Sequence, residues 1–224
     1  MSSSAAVPST SKRAICRRCL RPHSACICRW ITPLANKVEV LILQHPQEVS
    51  QAKGSARLLH LSLARSQLRS GEIFALAVLQ ALLQQAWPES MDAAPNSTAN
   101  GAPVHSILLY PHQPADAVPD PLPLAEPARL RLVVLDGTWR QSRRMLQDNP
   151  SLQALPRLAL PPSLPSRYHI RRAQRAGQLS TLEACCHALR QLEQREQPYQ
   201  SLLQAFDGFV AQQLAYRPQT TKGS

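Results

Sequence analysis

The sequence has no apolar run that approaches the roughly 18 residues needed to cross a membrane as a helix. Its opening residues, MSSSAAVPSTSKR, also lack the apolar stretch of a secretory signal peptide. These two absences argue against a membrane protein and against a secreted one. We therefore expect a soluble cytoplasmic protein.

Acidic residues are scarce as well. Asp and Glu number 14 against 25 Lys and Arg, which gives a formal net charge of +11 over 224 residues. Such an excess favours a polyanionic partner. The length suits one domain with a small appendage and suffices to bury a core without disulfide bonds. A hydrophobic content of 44% argues against a wholly disordered chain.

Four of the six cysteines lie together near the N-terminus, in the sequence CRRCLRPHSACIC. They are Cys16, Cys19, Cys26 and Cys28. Closely spaced thiolates can hold one soft cation in a tetrahedron, so the cluster predicts a structural site for Zn²⁺, with iron as the alternative metal. Free thiols in a flexible tail or a disulfide framework would also account for the cluster, and the lack of a signal peptide disfavours the disulfides.

The same segment is rich in arginine and has no acidic residue before Glu39. A metal-clamped basic loop is suited to contact a phosphate backbone, whereas a solvated basic tail is the alternative. The candidate contacts in this segment are Arg17, Arg18 and Arg21.

Apolar patterning predicts alternating strands and helices, and hence an α/β fold with a mostly parallel sheet. Strands are expected at 38–43, 106–110, 130–135 and 155–160. Helices are expected at 56–63, 74–87, 139–147, 180–196 and 199–215, with Pro198 separating the last two.

The chain divides into a small N-terminal segment and one core. Residues 1–13 are predicted to be a disordered tail, 14–32 the cysteine segment, 33–216 the α/β core and 217–224 a frayed tail. Within the core, 88–127 is rich in proline and other breakers, so we expect an insertion with irregular loops there.

The strongest predicted strand runs directly into Asp136-Gly137-Thr138-Trp139 and then into a helix. Ligands bind beyond the carboxyl ends of parallel strands, so Asp136 is a candidate functional carboxylate and Trp139 a candidate stacking surface. Gly137 allows a close backbone approach. Thr138 with Gln141 matches a capping box, so helix initiation alone would also produce this pattern. Three arginines follow on the helix: Arg140, Arg143 and Arg144.

A second capping box, Ser180-x-x-Glu183, opens a predicted helix whose N-terminal amides are able to hold a carboxylate. The preceding stretch, SRYHIRR at 166–172, has arginines suited to bidentate contact with a phosphate or carboxylate. A cap and a solvated basic face would account for the same residues without a ligand. Weaker candidates follow the first strand: His45 and Glu48.

The Asp-x-Thr-Trp motif and five further blocks resemble, in the same order, the DTW-domain family of tRNA-uridine aminocarboxypropyltransferases. The blocks are the CxxC…CxC cluster, QHPQE at 44–48, GSARLL at 54–59, Tyr168-x-Ile-Arg171, and STLEA at 180–184. The resemblance covers roughly residues 14–195 and looks closest to the bacterial enzyme of the variable loop. The region 88–127 carries no matching block.

The resemblance implies a SPOUT-like knotted core that binds S-adenosylmethionine. It also implies transfer of the 3-amino-3-carboxypropyl group to N3 of a tRNA uridine, with release of methylthioadenosine. We favour the variable loop over the D-loop as the target. No protein partner is expected to be obligatory.

In this interpretation Asp136 is the base that removes the N3 proton, and cofactor binding or shaping of the turn is its alternative role. Trp139 packs on the cofactor or on the flipped uridine. The expected cofactor-binding residues are Leu135, Gly137, Thr138, Tyr168, Arg171, Ser180, Thr181 and Glu183. Arg171 is equally suited to a tRNA phosphate. The expected RNA contacts are the six arginines named above.

Two other functions fit part of the sequence. One is a methyltransferase of the related knotted type, which would use the same cofactor. The other is a non-catalytic, zinc-dependent RNA-binding module with the α/β body as its scaffold. The cysteines and the charge fit the module equally well, but the intact blocks at 136–139 and 180–184 favour catalysis.

Overall fold

The computed structural model describes residues 14–87, 104–112, 125–161, 164, 166 and 179–215. Both predicted tails lie outside these ranges, as does much of the predicted insertion at 88–127. The part of that insertion that is described includes a strand of the sheet, as expected from 106–110, and a short 3₁₀ turn at Pro127–Arg129.

Within the described residues, five strands form a parallel sheet. They are β1 (Glu39–Gln44), β2 (Ser66–Ser70), β3 (His105–Leu109), β4 (Leu130–Asp136) and β5 (Arg157–Leu158). Their order across the sheet is β2-β1-β4-β3-β5. The central strands β1 and β4 are buried along their whole length, which is why both read as continuous apolar-rich runs. Their register pairs Gln44 with Asp136, so both strands end side by side.

Helices cover both faces of this sheet. They are α1 (Ala56–Ser62), α2 (Leu76–Gln84), α3 (Trp139–Asp148), α4 (Pro150–Gln153), α5 (Thr181–Glu193) and α6 (Gln197–Ala215). Alternate residues of a strand point to opposite faces. Accordingly, Val40 and Ile42 of β1 pack with α1, α5 and α6, whereas Leu41 and Leu43 pack with α2, α3 and α4. Among the described residues, no helix is both long and apolar enough to traverse a bilayer.

The predicted alternation of strands and helices and the parallel sheet are confirmed. Strand β2 is not predicted, because its sequence SQLRS is polar and partly exposed at the edge of the sheet. The prediction that Pro198 separates the last helices is wrong. Pro198 lies in the first turn of α6, where a missing N–H costs nothing, and the break falls at Gln194 with φ 52°.

The knot implied by the resemblance depends on the path of the chain between β5 and α5. Most of that path lies outside the described residues, since only 159–161, 164, 166, 179 and 180 are described there. The knot therefore stays a prediction, and the α/β architecture does not depend on it.

A buried ion pair joins β1 to β4 near their amino ends. Arg131 is fully buried, and its Nε donates to Glu39 Oε2 at 2.9 Å. Its terminal nitrogens donate to the carbonyl oxygens of Leu82 and Gln85, and Arg65 donates to the other Glu39 oxygen at 2.8 Å. These bonds satisfy charges that would otherwise be costly to bury.

Glu39→Gln is expected to lower the free energy of unfolding by about 3–5 kcal/mol, because it leaves the buried Arg131 charge without its partner. Urea unfolding followed by circular dichroism measures the change. Glu126→Gln is the matched control, since its partner Arg129 is at the surface and the loss should stay below about 1 kcal/mol. Equal losses would contradict a special role for the buried pair.

Candidate active site and metal centre

The candidate active site lies at the carboxyl edge of the sheet, where β1 and β4 end. Asp136, the last residue of β4, is only 5% exposed. Its Oδ2 accepts a hydrogen bond of 2.9 Å from Gln44 Nε2, and its Oδ1 accepts one of 2.6 Å from Thr181 Oγ1. The carboxylate is therefore fixed between the end of β1 and the start of α5. A carboxylate accepts about four hydrogen bonds, so both oxygens retain capacity for a ligand proton.

Gly137 allows the loop after β1 to approach the start of α3. A β-carbon at this position would lie 3.1 Å from Gln141 Cβ and 3.5 Å from His45 Cβ. The backbone N–H of His45 donates to the carbonyl of Asp136 at 2.9 Å. The close approach expected at this glycine is thus a contact between two loops of the chain itself.

Both predicted capping boxes are confirmed. Thr138 Oγ1 accepts from the Gln141 N–H, and Ser180 Oγ accepts from the Glu183 N–H. The buried Glu183 carboxylate accepts from the Ser180 N–H at 2.7 Å and from the Ser166 hydroxyl. Since these side chains have partners within the protein, their local role is to fix where α3 and α5 begin.

The first amides of α5 are engaged as well. The Leu182 N–H donates to Ser55 Oγ at 3.2 Å, and the Glu183 N–H is the one held by Ser180. Ser55 is the N-cap residue of α1, yet its side chain caps no amide of α1. Two of the amides expected to hold a ligand carboxylate therefore bind side chains of this chain instead.

Trp139 begins α3 with its side chain half exposed at the same edge of the sheet. Tyr110, which follows β3, meets the indole edge to face, with ring centroids 5.8 Å apart. The Arg157 guanidinium lies 5.6 Å from the centre of the Tyr110 ring and donates to the Pro111 carbonyl at 3.1 Å. An exposed indole held in a fixed orientation is suited to stacking with a base.

His45 and Glu48 are both buried at this edge. The Gln47 N–H donates to His45 Nδ1 at 3.2 Å, so Nε2 is the ring nitrogen left to face a neighbour. That nitrogen lies 3.7 Å from Oε2 of Glu72, a second carboxylate near the site. Asn149 holds the loop of Glu72 by donating to the Glu72 carbonyl at 2.9 Å.

The four clustered cysteines form a compact donor set for a metal ion. Their Sγ atoms all lie within 4.8 Å of one another, and none forms a disulfide. The distance is 3.6 Å from Cys16 to Cys28 and 3.8 Å from Cys19 to Cys26. Zn–S bonds of about 2.3 Å in a tetrahedron place sulfurs about 3.8 Å apart, so the spacing fits a bound ion. Backbone hydrogen bonds from Cys19 and Arg18 lower the pKa of Cys16 to about 6.

The cysteine segment packs on the last helix. The Trp30 indole lies directly against Gly208 of α6, where a β-carbon would come within 2.1 Å of the ring. Trp30 Nε1 donates to Gln212 Oε1, and Gln212 Nε2 donates to the Cys26 carbonyl at 3.1 Å. A small residue on α6 is therefore what lets the segment approach.

Comparison with known proteins identifies the family. The sequence pattern of the DTW domain matches residues 13–214, which is most of the chain. The chain belongs to the DTW-domain family. The Asp-x-Thr-Trp motif of this DTW domain thus runs from the last residue of β4 to the first residue of α3.

Curated relatives of this DTW domain are named as transferases. "tRNA-uridine aminocarboxypropyltransferase 2" of Drosophila melanogaster is 29% identical over 212 residues, covering 91% of this chain and 76% of the relative. The Macaca fascicularis protein of the same name is 24% identical, covering 95% and 68%. "tRNA-uridine aminocarboxypropyltransferase A" of Arabidopsis thaliana is 26% identical over 149 residues, covering 61% and 51%. No solved structure shows a significant match.

The structure brings part of the predicted site together. Asp136 bonds to Thr181 at the carboxyl edge, and Trp139 begins α3 at the same edge. Leu135 packs instead on the face of the sheet covered by α2, α3 and α4, and Gly137 lies against Gln141 and His45. Tyr168 and Arg171 lie outside the described residues. The predicted RNA contacts on α3 are all exposed, and Arg144 pairs with Asp148 at 2.6 Å, which raises the Arg144 pKa.

Several residues at the site are not apparent from the sequence. Gln44 has a usable signal, because it directly follows the strand predicted at 38–43, which pairs with β4 in a parallel sheet. Ser55 lies in the block at 54–59 and directly precedes a predicted helix, so the sequence gives no sign of its bond to α5. Tyr110 and Glu72 carry no signal, because only the folded chain places them beside Trp139 and His45.

Cys16→Ser is expected to abolish stoichiometric metal binding, because it removes one of four ligands. Elemental analysis of the purified protein measures the metal per chain. Cys185→Ala is the matched control, since this buried cysteine lies outside the cluster and should leave the metal content unchanged. Full metal content in Cys16→Ser would show that the cluster is not the ligand set.

Proposed function

We propose that this DTW-domain protein is a tRNA-uridine aminocarboxypropyltransferase. The names of its relatives support the reaction class. The observation that carries the proposal is the Asp136 carboxylate, which accepts from Gln44 of the block at 44–48 and from Thr181 of the block at 180–184. Three separate sequence blocks thus converge on one carboxylate at the edge where α/β sheets bind ligands.

The proposed cofactor is S-adenosylmethionine. When bound, it supplies an electrophilic carbon on its sulfonium, and the electron pair of the broken C–S bond leaves with methylthioadenosine. The turn at 135–138 and the start of α5 meet at the carboxyl edge through the bond from Thr181 to Asp136. We infer that the backbone of these two segments lines the adenosine site. The capping boxes fix where α3 and α5 begin, and so hold this backbone in place, through Thr138, Ser180 and Glu183. Two further proposed contacts with the cofactor are Tyr168 and Arg171.

The uridine must present N3 in line with the carbon that it attacks, so the chief task of the site is positioning. We assign Asp136 as the acceptor of the N3 proton. Gln44 and Thr181 orient its carboxylate, and the half-exposed Trp139 provides a face on which an unstacked uracil can lie.

A second role for Asp136 has a specific observation in its favour. Its side chain is almost fully buried and already accepts from two neighbours. This is the arrangement of a carboxylate that binds the cofactor ammonium group or ties β4 to α5. If Asp136 is the base, kcat depends on the charge of its side chain. If Asp136 binds the cofactor, the Kd for S-adenosylmethionine depends on that charge.

Exposed arginines on two separate segments of the chain support binding of a polyanion. Arg17 and Arg18 lie on the cysteine segment, and Arg140, Arg143 and Arg144 lie on the helix that begins at Trp139. We propose that they contact tRNA phosphates. The proposed target is a uridine of the variable loop, because single-stranded bases are the accessible ones in RNA.

Two finer points belong to the same proposal. We infer that the metal is Zn²⁺, because four thiolates at tetrahedral spacing form a closed structural site. We also infer that the core is knotted as in SPOUT proteins, which the family resemblance supports and which a parallel sheet of order β2-β1-β4-β3-β5 accommodates.

Purified protein incubated with S-adenosylmethionine and tRNA from cells that lack this activity should yield a uridine heavier by one 3-amino-3-carboxypropyl group. Methylthioadenosine should appear in equal amount. Mass spectrometry of digested nucleosides measures both. A uridine heavier by a methyl group would indicate the methyltransferase, and unchanged tRNA that still binds the protein would indicate a non-catalytic RNA-binding module.

Asp136→Asn keeps the size of the side chain but removes the charge. If Asp136 is the base, kcat should fall by about 10²–10⁴-fold with little change in the Kd for S-adenosylmethionine. Single-turnover kinetics and calorimetry measure the two quantities. A loss confined to cofactor affinity would assign Asp136 to binding, and full activity would remove it from both roles.

A further inference from the structure

We propose that Arg21 and Ser55 are positioning residues that set the first turn of α5 against Asp136. In this assignment the cysteine segment acts on the active site through the protein, in addition to any contact with RNA. The link runs from Arg21 to the loop at 51–55, from Ser55 to α5, and from α5 to the Asp136 carboxylate.

Arg21 begins the link. It lies within the cysteine segment, between Cys19 and Cys26, and is half-buried. Its Nη1 donates to the Ala52 carbonyl at 2.5 Å, and its Nη2 donates to the Gly54 carbonyl at 2.9 Å. The guanidinium also lies 5.4 Å from the centre of the Phe209 ring of α6. One planar side chain thus ties the segment to two carbonyls of a single loop.

Ser55 continues the link from that loop. It directly follows Gly54, whose carbonyl Arg21 holds, and it is 4% exposed. It occupies the N-cap position of α1, but its hydroxyl accepts from the Leu182 N–H of α5 at 3.2 Å and from no amide of α1. The position of the loop at 51–55 therefore determines the position of the α5 N-terminus.

Thr181 completes the link, because it precedes Leu182 and donates to Asp136 Oδ1 at 2.6 Å. A shift of the first turn of α5 would move this hydroxyl away from the carboxylate that orients the proposed chemistry. Displacements of about 1 Å at such a site are costly to a reaction that depends on positioning.

The neighbouring arginines show why Arg21 differs from a plain RNA contact. Arg17 and Arg18 lie in the same segment but are exposed. A phosphate contact needs mainly a positive charge, which lysine also supplies. Holding two carbonyls at once needs the planar fork of arginine, which lysine lacks. Arg21→Lys therefore separates the two roles, and Arg17→Lys is its matched control.

The first measurement is hydrogen exchange of the metal-loaded protein, resolved to single amides, because it does not depend on the proposed function. Arg21→Lys should speed exchange of the Leu182 amide about tenfold, because one of the two bonds that fix the loop is lost. Amides of the central strand β4 should not change. Arg17→Lys should leave the Leu182 amide as in the wild type.

Ser55→Ala tests the second half of the link without touching the cysteine segment. It should speed exchange of the Leu182 amide to a similar extent while the metal content stays constant. If Arg21→Lys fails to fold, Ser55→Ala still tests whether the loop at 51–55 holds the first turn of α5. Unchanged Leu182 exchange in Ser55→Ala, or equal effects of Arg21→Lys and Arg17→Lys, would overturn the proposal.

The second measurement is the Kd for S-adenosylmethionine in the absence of tRNA, and this arm rests on the proposed function. Arg21→Lys and Ser55→Ala should weaken binding about three- to tenfold, while the salt dependence of tRNA binding stays that of the wild type. Unchanged cofactor affinity beside faster exchange would overturn the positioning role. If the wild type itself does not bind S-adenosylmethionine, the proposed function fails while the exchange result stands.

Discussion

The register between β1 and β4 is the constraint on which the site depends. Two parallel strands that end level with each other place Gln44 beside Asp136, and only then can the amide of one orient the carboxylate of the other. Helix α5 begins at the same edge, and the hydroxyl of its first residue, Thr181, donates to the other oxygen of Asp136. A shift of one residue along either strand would turn these side chains to the opposite face of the sheet. Burial of β1 and β4 on both faces is what opposes such a shift.

The two ends of the sheet hold charge in different ways. At the amino end, Glu39 is neutralised by Arg131 and Arg65, so the buried charges are balanced within the chain. At the carboxyl end, Asp136 has only neutral donors among the contacts described for its side chain. Among the described residues, no ion pair is formed by this carboxylate. This asymmetry is what distinguishes a structural ion pair from a carboxylate available to a proton or an ammonium group.

The sequence allowed the α/β class, the central strands, both capping boxes and the clustering of the four cysteines to be predicted, because each depends on local pattern or spacing. Strand β2 escaped prediction because an edge strand needs no apolar run. Arg21 reads as an RNA contact, since its charge is visible in the sequence and its two carbonyl partners are not. The role of Ser55 could not be predicted, because its hydroxyl accepts from the Leu182 N–H, 127 residues further along the chain. Such long-range pairings have no local signature.

The packing of Trp30 against Gly208 also orders events during synthesis. The hydrogen bond from Trp30 to Gln212 joins residues 182 positions apart, so it cannot form until nearly the whole described chain has left the ribosome. The cysteines emerge first, and their ligand set lies entirely within residues 16–28. All four cysteines can therefore come together while the chain is short, whereas the same segment can dock on α6 only after the last helix has been made. During synthesis the N-terminal cysteine segment is therefore complete before α6, the helix on which it packs.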